Sequence, residues 1–282
     1  MRSFLKRAAV IIGTLAFASM LPQAAFSQNA LVPQDFLTNK RLSTGDRIRY
    51  CLNMSSVLVE FDREIGREIA GALFLEPEFF EVKTPTDPYP LDYRMDVTEE
   101  DLFIFMNRRC DAFLGFSISP DDTPDWLQPT RPYHSTAFRI VTTRKDVRAL
   151  ADLPASSSVG TWMGSSPDSA FRVFLSTSGA SLRRLPYPHN LYLVDRLRDG
   201  TLQAAMIWEP ALYLGGQGGP QKLGLSVLNG FPFTVATIDF GIALRSNESY
   251  LRAQLDSAID ALVRDGTLEK LRRKFSLPPQ AQ

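Results

Sequence analysis

The stretch RCDAFLGFSISPDDTPDWLQPTRPYHSTAFRIVTTR, residues 109–144, contains the pattern that decides the fold. It predicts a buried strand at residues 112–116, a polar loop, a Thr-Arg-Pro-Tyr turn and a second strand at residues 137–143. The first strand is a continuous apolar run beside a helix-like stretch, which indicates a parallel strand covered on both faces. Because ligands collect outside the carboxyl ends of such strands, we expect residues 117–133 to border a binding site.

The N-terminus has the pattern of a Sec-type signal peptide over residues 1–27. A basic segment comes first, and the apolar run at residues 8–21 is too short to span a bilayer comfortably. Ala25 and Ser27 place small residues at the minus-three and minus-one positions, which predicts cleavage after Ser27. An uncleaved anchor helix is the alternative. No later stretch of the sequence is long and apolar enough to cross a membrane, so the predicted destination is an oxidising compartment.

The charge balance gives little reason to expect a nucleic-acid partner. The chain has 31 Lys and Arg against 31 Asp and Glu, and cleavage would remove three basic residues and no acidic ones. The mature protein would therefore be mildly acidic, without a basic stripe or an RNA-reading aromatic motif. Catalysis has little support in the sequence, which contains no Gly-x-Ser-x-Gly elbow, His-Glu-x-x-His motif or Cys–His nucleophile pair.

Cys51 and Cys110 are the only two cysteines of the chain. In an oxidising compartment a disulfide is the default interpretation, and neighbouring parallel strands would bring the two residues close enough. A metal site is the weaker alternative, because the only histidines, His134 and His189, lack ligand spacing with either cysteine. The acidic residues near position 121 fit no EF-hand spacing, which favours a solvated loop without a metal. They are Asp121, Asp122 and Asp125.

Strands and helices alternate along the chain, which is typical of α/β proteins with parallel sheets. Apolar periodicity at residues 57–73 and a Thr98-x-x-Asp101 capping pattern at the start of residues 96–109 predict two helices in the first half. The other predicted strands of this half are residues 46–52 and 79–83. The second half repeats the architecture, with predicted strands at residues 158–162, 182–187, 203–208, 223–227 and 237–244. Its predicted helices are residues 166–176, 190–198, 209–214 and a tail at 249–275 that Gly266 interrupts.

Several phrases, and above all their order, resemble the periplasmic solute-binding proteins of family 3, the two-lobed amino-acid receptors of ABC importers. The matching phrases are CDAFLGF, PTRPYHSTAF, SVGTWMGSSPDSAF, LRDGTLQAAMIWEP and the tail that begins DFGIALRS, and the match covers about residues 45–277. The resemblance implies a two-lobed α/β fold in the periplasm, each lobe a mostly parallel sheet flanked by helices. Two hinge strands, near residues 138–143 and 237–244, would join the lobes. Lobe 1 would comprise residues 45–138 and 242–282, and lobe 2 residues 139–241.

A narrower resemblance is to the J-type periplasmic proteins of quinoprotein methanol dehydrogenase systems. It rests on a cysteine in the first strand, an Arg-x-Cys-Asp-x-x-x-Gly third strand and a Thr-Arg-Pro-Tyr-x-Ser-Thr turn. The residues concerned are Cys51, Cys110, Asp111, Gly115, Thr130, Arg131, Pro132, Tyr133, Ser135 and Thr136. The resemblance implies a non-catalytic accessory, with no cofactor of its own, that serves a PQQ-dependent methanol or alcohol dehydrogenase. The alternatives are an ABC importer receptor for a small polar solute and a dehydratase-like enzyme on the same scaffold.

The residues that anchor an amino acid in ordinary family 3 receptors are absent or altered in this chain. A Thr-x-Glu-Arg phrase usually follows the third strand, and its arginine binds the α-carboxylate. Here the phrase at residues 121–124 is Asp-Asp-Thr-Pro. Glu209 stands where an aspartate usually binds the α-ammonium, and the loop after the first strand is contracted to Asn-Met-Ser-Ser at residues 53–56. The resemblance therefore does not favour a standard amino acid as the ligand.

Ten residues are candidates for lining a ligand-binding cleft. They are Asn53, Arg131, Tyr133, Thr161, Trp162, Ser165, Ser166, Trp208, Glu209 and Asp239. The turn at residues 164–167 could bind an anion at a helix start, or its serines could only cap the helix. The two tryptophans could stack on a ring or pack at strand ends. Arg131 could bind a carboxylate or form a surface or hinge ion pair. Glu209 could bind a cationic group, or it could be an acid at a helix start that interacts favourably with the helix dipole.

Overall fold

The computed structural model describes residues 45–82, 98–119, 123–214 and 218–278, so the predicted signal peptide and Asp121 and Asp122 lie outside the described residues. The strands are β1 Arg47–Asn53, β2 Glu76–Val82, β3 Ala112–Ile118, β4 Leu127–Pro129, β5 His134–Thr136, β6 Phe138–Thr142, β7 Ser158–Trp162, β8 Arg183–Tyr187, β9 Ala204–Trp208, β10 Ser226–Val227 and β11 Ile238–Arg245. The helices are α1 Val59–Ala72, α2 Glu99–Arg108, α3 Ser166–Ser178, α4 Asn190–Arg198, α5 Glu209–Tyr213, α6 Ser249–Arg264 and α7 Thr267–Lys274. A short 3-10 turn covers Leu150–Asp152.

The strands form two sheets. The first has the order β2-β1-β3-β11-β4, with β5 also paired to β11, and the second has the order β10-β6-β9-β7-β8. β1 runs parallel to β2 and β3, whereas β11 runs antiparallel to β3, β4 and β5. In the second sheet β7 runs parallel to β8 and β9, whereas β6 runs antiparallel to β9 and β10. The predicted two-lobed α/β fold is confirmed, and both sheets are mixed.

The chain passes between the two sheets twice. β5 belongs to the first sheet and β6 to the second, so the first passage is at Ala137. The return lies within residues 228–237, between β10 and β11. β11 pairs with the first sheet from Ile238 onward, so the strand predicted at residues 237–244 follows the second passage. The exact limits of the two lobes stay a prediction.

β4 and β5 are two strands that the sequence pattern does not predict. β4 ends at Pro129 and β5 follows Pro132, and proline within a short run counts against a strand. Both strands pair with β11. The position of β11 in the sheet, which is a tertiary feature, therefore creates them.

Most of the predicted apolar stripes form the core. In α1 the side chains of Phe61, Ile65 and Ile69 are buried, as the periodicity predicts. The two C-terminal helices bury Leu251, Leu255, Ile259, Leu262, Leu268 and Leu271. Gly266 separates them with φ of +78°, a left-handed conformation that glycine adopts without steric cost. The predicted break in the tail is therefore confirmed.

Cys51 on β1 and Cys110, two residues before β3, form a disulfide with their Cα atoms 5.5 Å apart. The parallel pairing of β1 with β3 brings the two residues together, which confirms the predicted bond. Among the described residues no group of three or more His, Cys, Asp or Glu side chains could hold a metal ion. A helix long and apolar enough for a membrane span is not found in the described ranges.

Candidate functional site

The two passages lie beside the carboxyl ends of strands from both sheets. In the second sheet β9 ends at Trp208, and the Glu209 backbone N–H donates to the Ala137 carbonyl at 2.9 Å. In the first sheet Asp239, near the start of β11, lies opposite Ile118 at the end of β3 and opposite Ser135 on β5. Folding thus brings Trp208, Glu209 and Asp239 to the same hinge region. This is the edge at which ligands bind in α/β sheets.

Asp239 and Ser135 form a polar pair between β11 and β5, the two strands of the first sheet that lie next to the passages. The Ser135 hydroxyl donates to the Asp239 carboxylate at 2.6 Å, and Asp239 is only partly buried. The sequence singled out Asp239, whereas Ser135 entered only as part of the resemblance. The pair gives the hinge region a carboxylate that solvent can reach.

Trp208 connects the two lobes and is fully buried. Its indole N–H donates to the Thr136 hydroxyl at 2.8 Å, and that hydroxyl donates to the Ile238 carbonyl at 3.2 Å. Its ring lies 5.9 Å from the ring of Phe240 on β11. Of the two roles considered for Trp208, the structure shows packing, and a buried ring in this position does not present a face to a ligand.

Glu209 is buried at the start of α5 and is engaged by an arginine of the neighbouring strand. The Arg139 Nε atom donates to the Glu209 carboxylate at 2.8 Å, while the Arg139 side chain is about half exposed. Burial, followed by the charge of Glu209, raises the pKa of Tyr213, and Arg139 partly counters this. The charge of Glu209, at the end of β9, is therefore balanced by the guanidinium of Arg139.

The turn before α3 already contains an anion, supplied by the chain itself. The Asp168 carboxylate accepts the Gly164 backbone N–H at 3.0 Å and the Thr161 hydroxyl at 2.5 Å. Arg184 donates to both oxygens of Asp168, at 2.6 and 2.8 Å. Burial raises the pKa of Asp168, but the bonds from Arg184, Thr161 and Gly164 outweigh it and leave that pKa below its ordinary value. The predicted anion position is thus filled by Asp168.

Ser165 is the N-cap of α3. It accepts the Asp168 backbone N–H at 3.3 Å and donates to the Trp162 carbonyl at 2.7 Å. Ser166, the first helical residue, is exposed. Trp162 is buried, and its indole N–H donates to the Pro188 carbonyl at 2.8 Å. Ser165 therefore caps the helix and Trp162 packs at its strand end, as the second of the two alternatives for each residue predicts. Thr161 donates to Asp168 and so belongs to the hydrogen-bond network at this turn.

Asn53 and Arg131 have partners other than the pairs at the hinge. Asn53 ends β1, is buried, and accepts the Ser55 backbone N–H at 3.0 Å, so it shapes the contracted loop. The Arg131 guanidinium pairs with Asp260, and its backbone N–H donates to Asp256 at 2.7 Å. Both acids are on α6. Of the two roles considered for Arg131, the structure shows the surface ion pair.

Tyr133 belongs to a buried network that includes an acid the sequence analysis missed. Its hydroxyl donates to the Asp62 carboxylate at 2.6 Å and accepts the Gly115 backbone N–H at 2.9 Å. Gly115 has φ of +72°, and the pairing of β11 with β3 shifts register opposite it. A Cβ atom at Gly115 would lie 2.5 Å from an Asp62 oxygen. A glycine within a strand indicates such a bulge or close approach, and this was the available signal.

Asp62, within this network, and His134, the residue after Tyr133, are buried ionisable groups. Burial raises the pKa of Asp62 from 3.8 to about 7, and the Tyr133 bond lowers it in part. Burial, followed by the charge of Arg272, lowers the pKa of His134 to about 3. The His134 ring packs 5.0 Å from that of Phe61. His134 is therefore a neutral core residue and not the surface or turn residue that its sequence context suggests.

No protein-family model and no curated protein sequence matches this chain. Among solved structures, "Ancestral Cationic Amino Acid Solute Binding Protein (AncCDT-1)" has a TM-score of 0.62 at 16% identity and covers 83% of this chain and 97% of that chain. A second structure of AncCDT-1, described as a precursor of cyclohexadienyl dehydratase, has a TM-score of 0.56 at 16% identity with the same coverage, 83% and 97%.

Two structures from streptococci are also similar. A polar amino acid ABC uptake transporter substrate-binding protein from Streptococcus thermophilus has a TM-score of 0.61 at 15% identity, covering 83% of this chain and 87% of that chain. An amino acid ABC transporter substrate-binding protein from Streptococcus pneumoniae, bound to L-arginine, has a TM-score of 0.54 at 18% identity, covering 86% and 98%. At these identities the likeness shows the fold, which is that of two-lobed periplasmic binding proteins.

Proposed function

We propose that this protein is a periplasmic solute-binding protein that takes a small polar solute between its lobes and presents it to an ABC permease. The observation that carries the proposal is the pair of sheets joined by two passages, an architecture shared with amino-acid-binding proteins over most of the chain. Two lobes joined by short connections can close around a ligand by hinge motion. The signal peptide at residues 1–27, with cleavage after Ser27, is part of this proposal.

The charges at the hinge and at the turn before α3 bear on the class of solute. Glu209 is engaged by Arg139, and Asp168 is engaged by Arg184. Neither acid is therefore available as the simple partner of an α-ammonium group, nor is the turn before α3 available to a carboxylate. Asp239, held by Ser135, is the partly exposed acid at this edge. We therefore propose a polar solute other than a standard α-amino acid, bound beside Ser135 and Asp239.

The proposed activity is binding without catalysis. A dehydratase on this scaffold would need an acid–base pair that faces the solute. Of the two acids that the fold brings to the hinge, Glu209 is already engaged by Arg139, which leaves Asp239 as a single acid rather than a pair and supports a binding role. AncCDT-1 is described as a dehydratase precursor. The test below therefore also asks whether a bound solute is converted to a product.

The second candidate function is that of an accessory to a PQQ-dependent methanol or alcohol dehydrogenase. The observation that favours it is the Cys51–Cys110 disulfide, because both cysteines belong to the J-type resemblance. The similar structures reported above are amino-acid-binding proteins and give this role no support. The receptor function is therefore proposed first.

The test combines a ligand screen with a pull-down. A panel of small polar solutes is screened by thermal shift, because a ligand that binds only the folded state raises the melting temperature. We expect at least one solute to stabilise the wild type and to lose its effect in Asp239→Asn and Ser135→Ala. Arg131→Ala, in the ion pair with α6, is the matched control and should keep the shift. Hits are incubated with the protein and analysed for a changed product, which would show catalysis.

The same protein is used as bait in a native periplasmic extract and in solubilised membranes. Recovery of an ABC permease, together with a solute that shifts the melting temperature, would support the receptor. Recovery of a quinoprotein dehydrogenase with no shift from any solute would overturn it in favour of the accessory role.

A further inference from the structure

A cavity lies in the lobe formed around the second sheet, and residues 229–232, at the start of the return passage, form part of its wall. Its volume is about 500 Å³, which is within the range of small-molecule sites. Three segments outside the sheets bound it: residues 149–155, the C-terminal end of α3 with residues 180–182, and residues 229–232. We infer that this cavity is a binding site for a small, uncharged, largely apolar ring compound.

The lining determines the chemical class. Its apolar side chains include Leu150, Leu153, Phe174, Leu182 and Phe231, and none of the described residues that line the cavity is charged. Ala151, Ser178, Ser181 and Asn229 are exposed, so the cavity is open to solvent on one side, and its wall offers a charged ligand no counter-ion. A neutral apolar ligand loses little and gains buried area. The polar side chains among the described lining residues are Ser178, Ser181 and Asn229, which suits one or two hydrogen bonds that orient a ring.

Phe174 and Phe231, the aromatic residues of the cavity wall, pack against two further phenylalanine rings. Phe174 lies 5.4 Å from Phe233 and 6.3 Å from the fully buried Phe171, between ring centroids. Phe231 also lies 5.4 Å from Phe233. The two rings that face the cavity are thus packed against two that do not. A ring ligand would meet surfaces that are already ordered, which reduces the entropic cost of binding.

Hydrogen bonds connect the three segments. The Asn229 backbone N–H donates to the Arg148 carbonyl at 2.7 Å, and that of Ser156 donates to the Ser181 carbonyl at 2.5 Å. The Asp152 carboxylate accepts the backbone N–H groups of Arg148 and Ala149, each at 2.9 Å, and fixes the turn at the base of the first segment. The cavity is therefore a built feature of this lobe rather than a gap between loose loops.

The test uses two dyes that differ mainly in charge, with the full chain. N-phenyl-1-naphthylamine is neutral, and 1-anilinonaphthalene-8-sulfonate has similar rings and a sulfonate. We expect saturable fluorescence enhancement by the neutral dye, with micromolar affinity, and at least tenfold weaker binding of the sulfonate. Absence of saturable binding by the neutral dye, or tighter binding of the sulfonate, would overturn the inference.

Variants locate the bound dye. Ala151→Trp and Ser178→Trp fill the cavity from two different segments of its wall and should weaken binding of the neutral dye at least tenfold. Val173→Trp is the matched control, since Val173 is 58% exposed on α3 and does not line the cavity; it should bind as the wild type does. Equal binding by all variants would place the dye elsewhere and overturn the site. Amide chemical shifts of the wild type give a check without mutation: Leu150, Phe174 and Phe231 should move, and unchanged shifts there would also overturn it.

Discussion

Tyr133 and Asp62 form a buried 2.6 Å hydrogen bond that joins α1 to the segment leading into the first passage between the lobes. The same hydroxyl accepts the Gly115 N–H, which the bulge in β3 removes from the strand ladder. One phenol therefore satisfies a carboxyl and a backbone group that would otherwise lack these partners. Asp62 is buried and Gly115 is partly buried, so the stability of the first lobe depends on this side chain.

Tyr133→Phe tests that dependence. The variant keeps the ring and removes both hydrogen bonds, so we expect the free energy of unfolding to fall by about 1–3 kcal/mol. Urea denaturation measures the change. Tyr187→Phe, at a half-buried tyrosine of β8, is the control and should change stability by less. Equal losses in both variants would contradict the role assigned to Tyr133.

Asp62 should make stability depend on pH. Its folded pKa of about 7 lies above the ordinary value of 3.8, so the folded state holds the proton more tightly than the unfolded chain. The resulting contribution to stability is fully present below pH about 4, falls as pH rises, and is lost above pH about 7. The shift corresponds to on the order of 4 kcal/mol.

Asp62→Asn removes this titration and keeps an acceptor for Tyr133. We expect the free energy of unfolding of the variant, relative to the wild type, to rise by several kcal/mol between pH 4 and pH 8. Urea titrations at the two pH values measure it. A difference between variant and wild type that does not change with pH would show that Asp62 keeps an ordinary pKa.

The disulfide should contribute strongly to the first lobe. Cys51 and Cys110 are 59 residues apart, and the chain-entropy model gives about 4 kcal/mol for a loop of that length. We expect Cys51→Ala/Cys110→Ala to lower the free energy of unfolding by that amount, and reduction of the wild type to have the same effect. Mass spectrometry of non-reduced peptides confirms the bond. Two free thiols in protein made in the periplasm would contradict it.

Trp208→Phe should loosen the connection between the lobes. The variant loses the bond to Thr136, so we expect a loss of about 1 kcal/mol and faster amide exchange at residues 134–142 and 238–240. Trp162→Phe, which loses a bond to Pro188 within one lobe, is the matched control. Hydrogen exchange with mass spectrometry measures both. Unchanged exchange at these segments in Trp208→Phe would show that the bond does not restrain the hinge.

Arg184→Gln should lower the free energy of unfolding, because it removes the cation that pairs with Asp168 at the start of α3. Asp168 would stay buried without its guanidinium, and we expect a loss of about 2–3 kcal/mol at pH 7, less than for a fully buried pair because Arg184 is partly exposed. The folded pKa of Asp168 is lowered, so this stabilisation is present above pH about 4 and is lost as pH falls through the folded pKa. Urea titrations should therefore show a smaller loss at pH 3 than at pH 7.

Much of this protein follows from local sequence patterns. The alternation of strands and helices, the apolar stripe of α1, the Thr98 and Ser165 caps and the break at Gly266 all depend on periodicity or backbone chemistry within one turn or strand. The disulfide needed one further step, the assumption that β1 and β3 are neighbours, and the parallel pairing confirms it.

Tertiary structure decided what the candidate side chains do. Arg139 and Arg184 lie 70 and 16 residues from the acids they neutralise, and no local pattern connects either pair. Asp62 is 71 residues from Tyr133, and its place on the buried face of α1 reverses the expectation for a helical acid. The sequence by itself determined most of the helices and strands, because those depend on local periodicity, and the order of its phrases determined the resemblance that implies two lobes. Only the packing of distant strands decided which charges are paired, which tryptophans are buried and which carboxylate remains at the hinge.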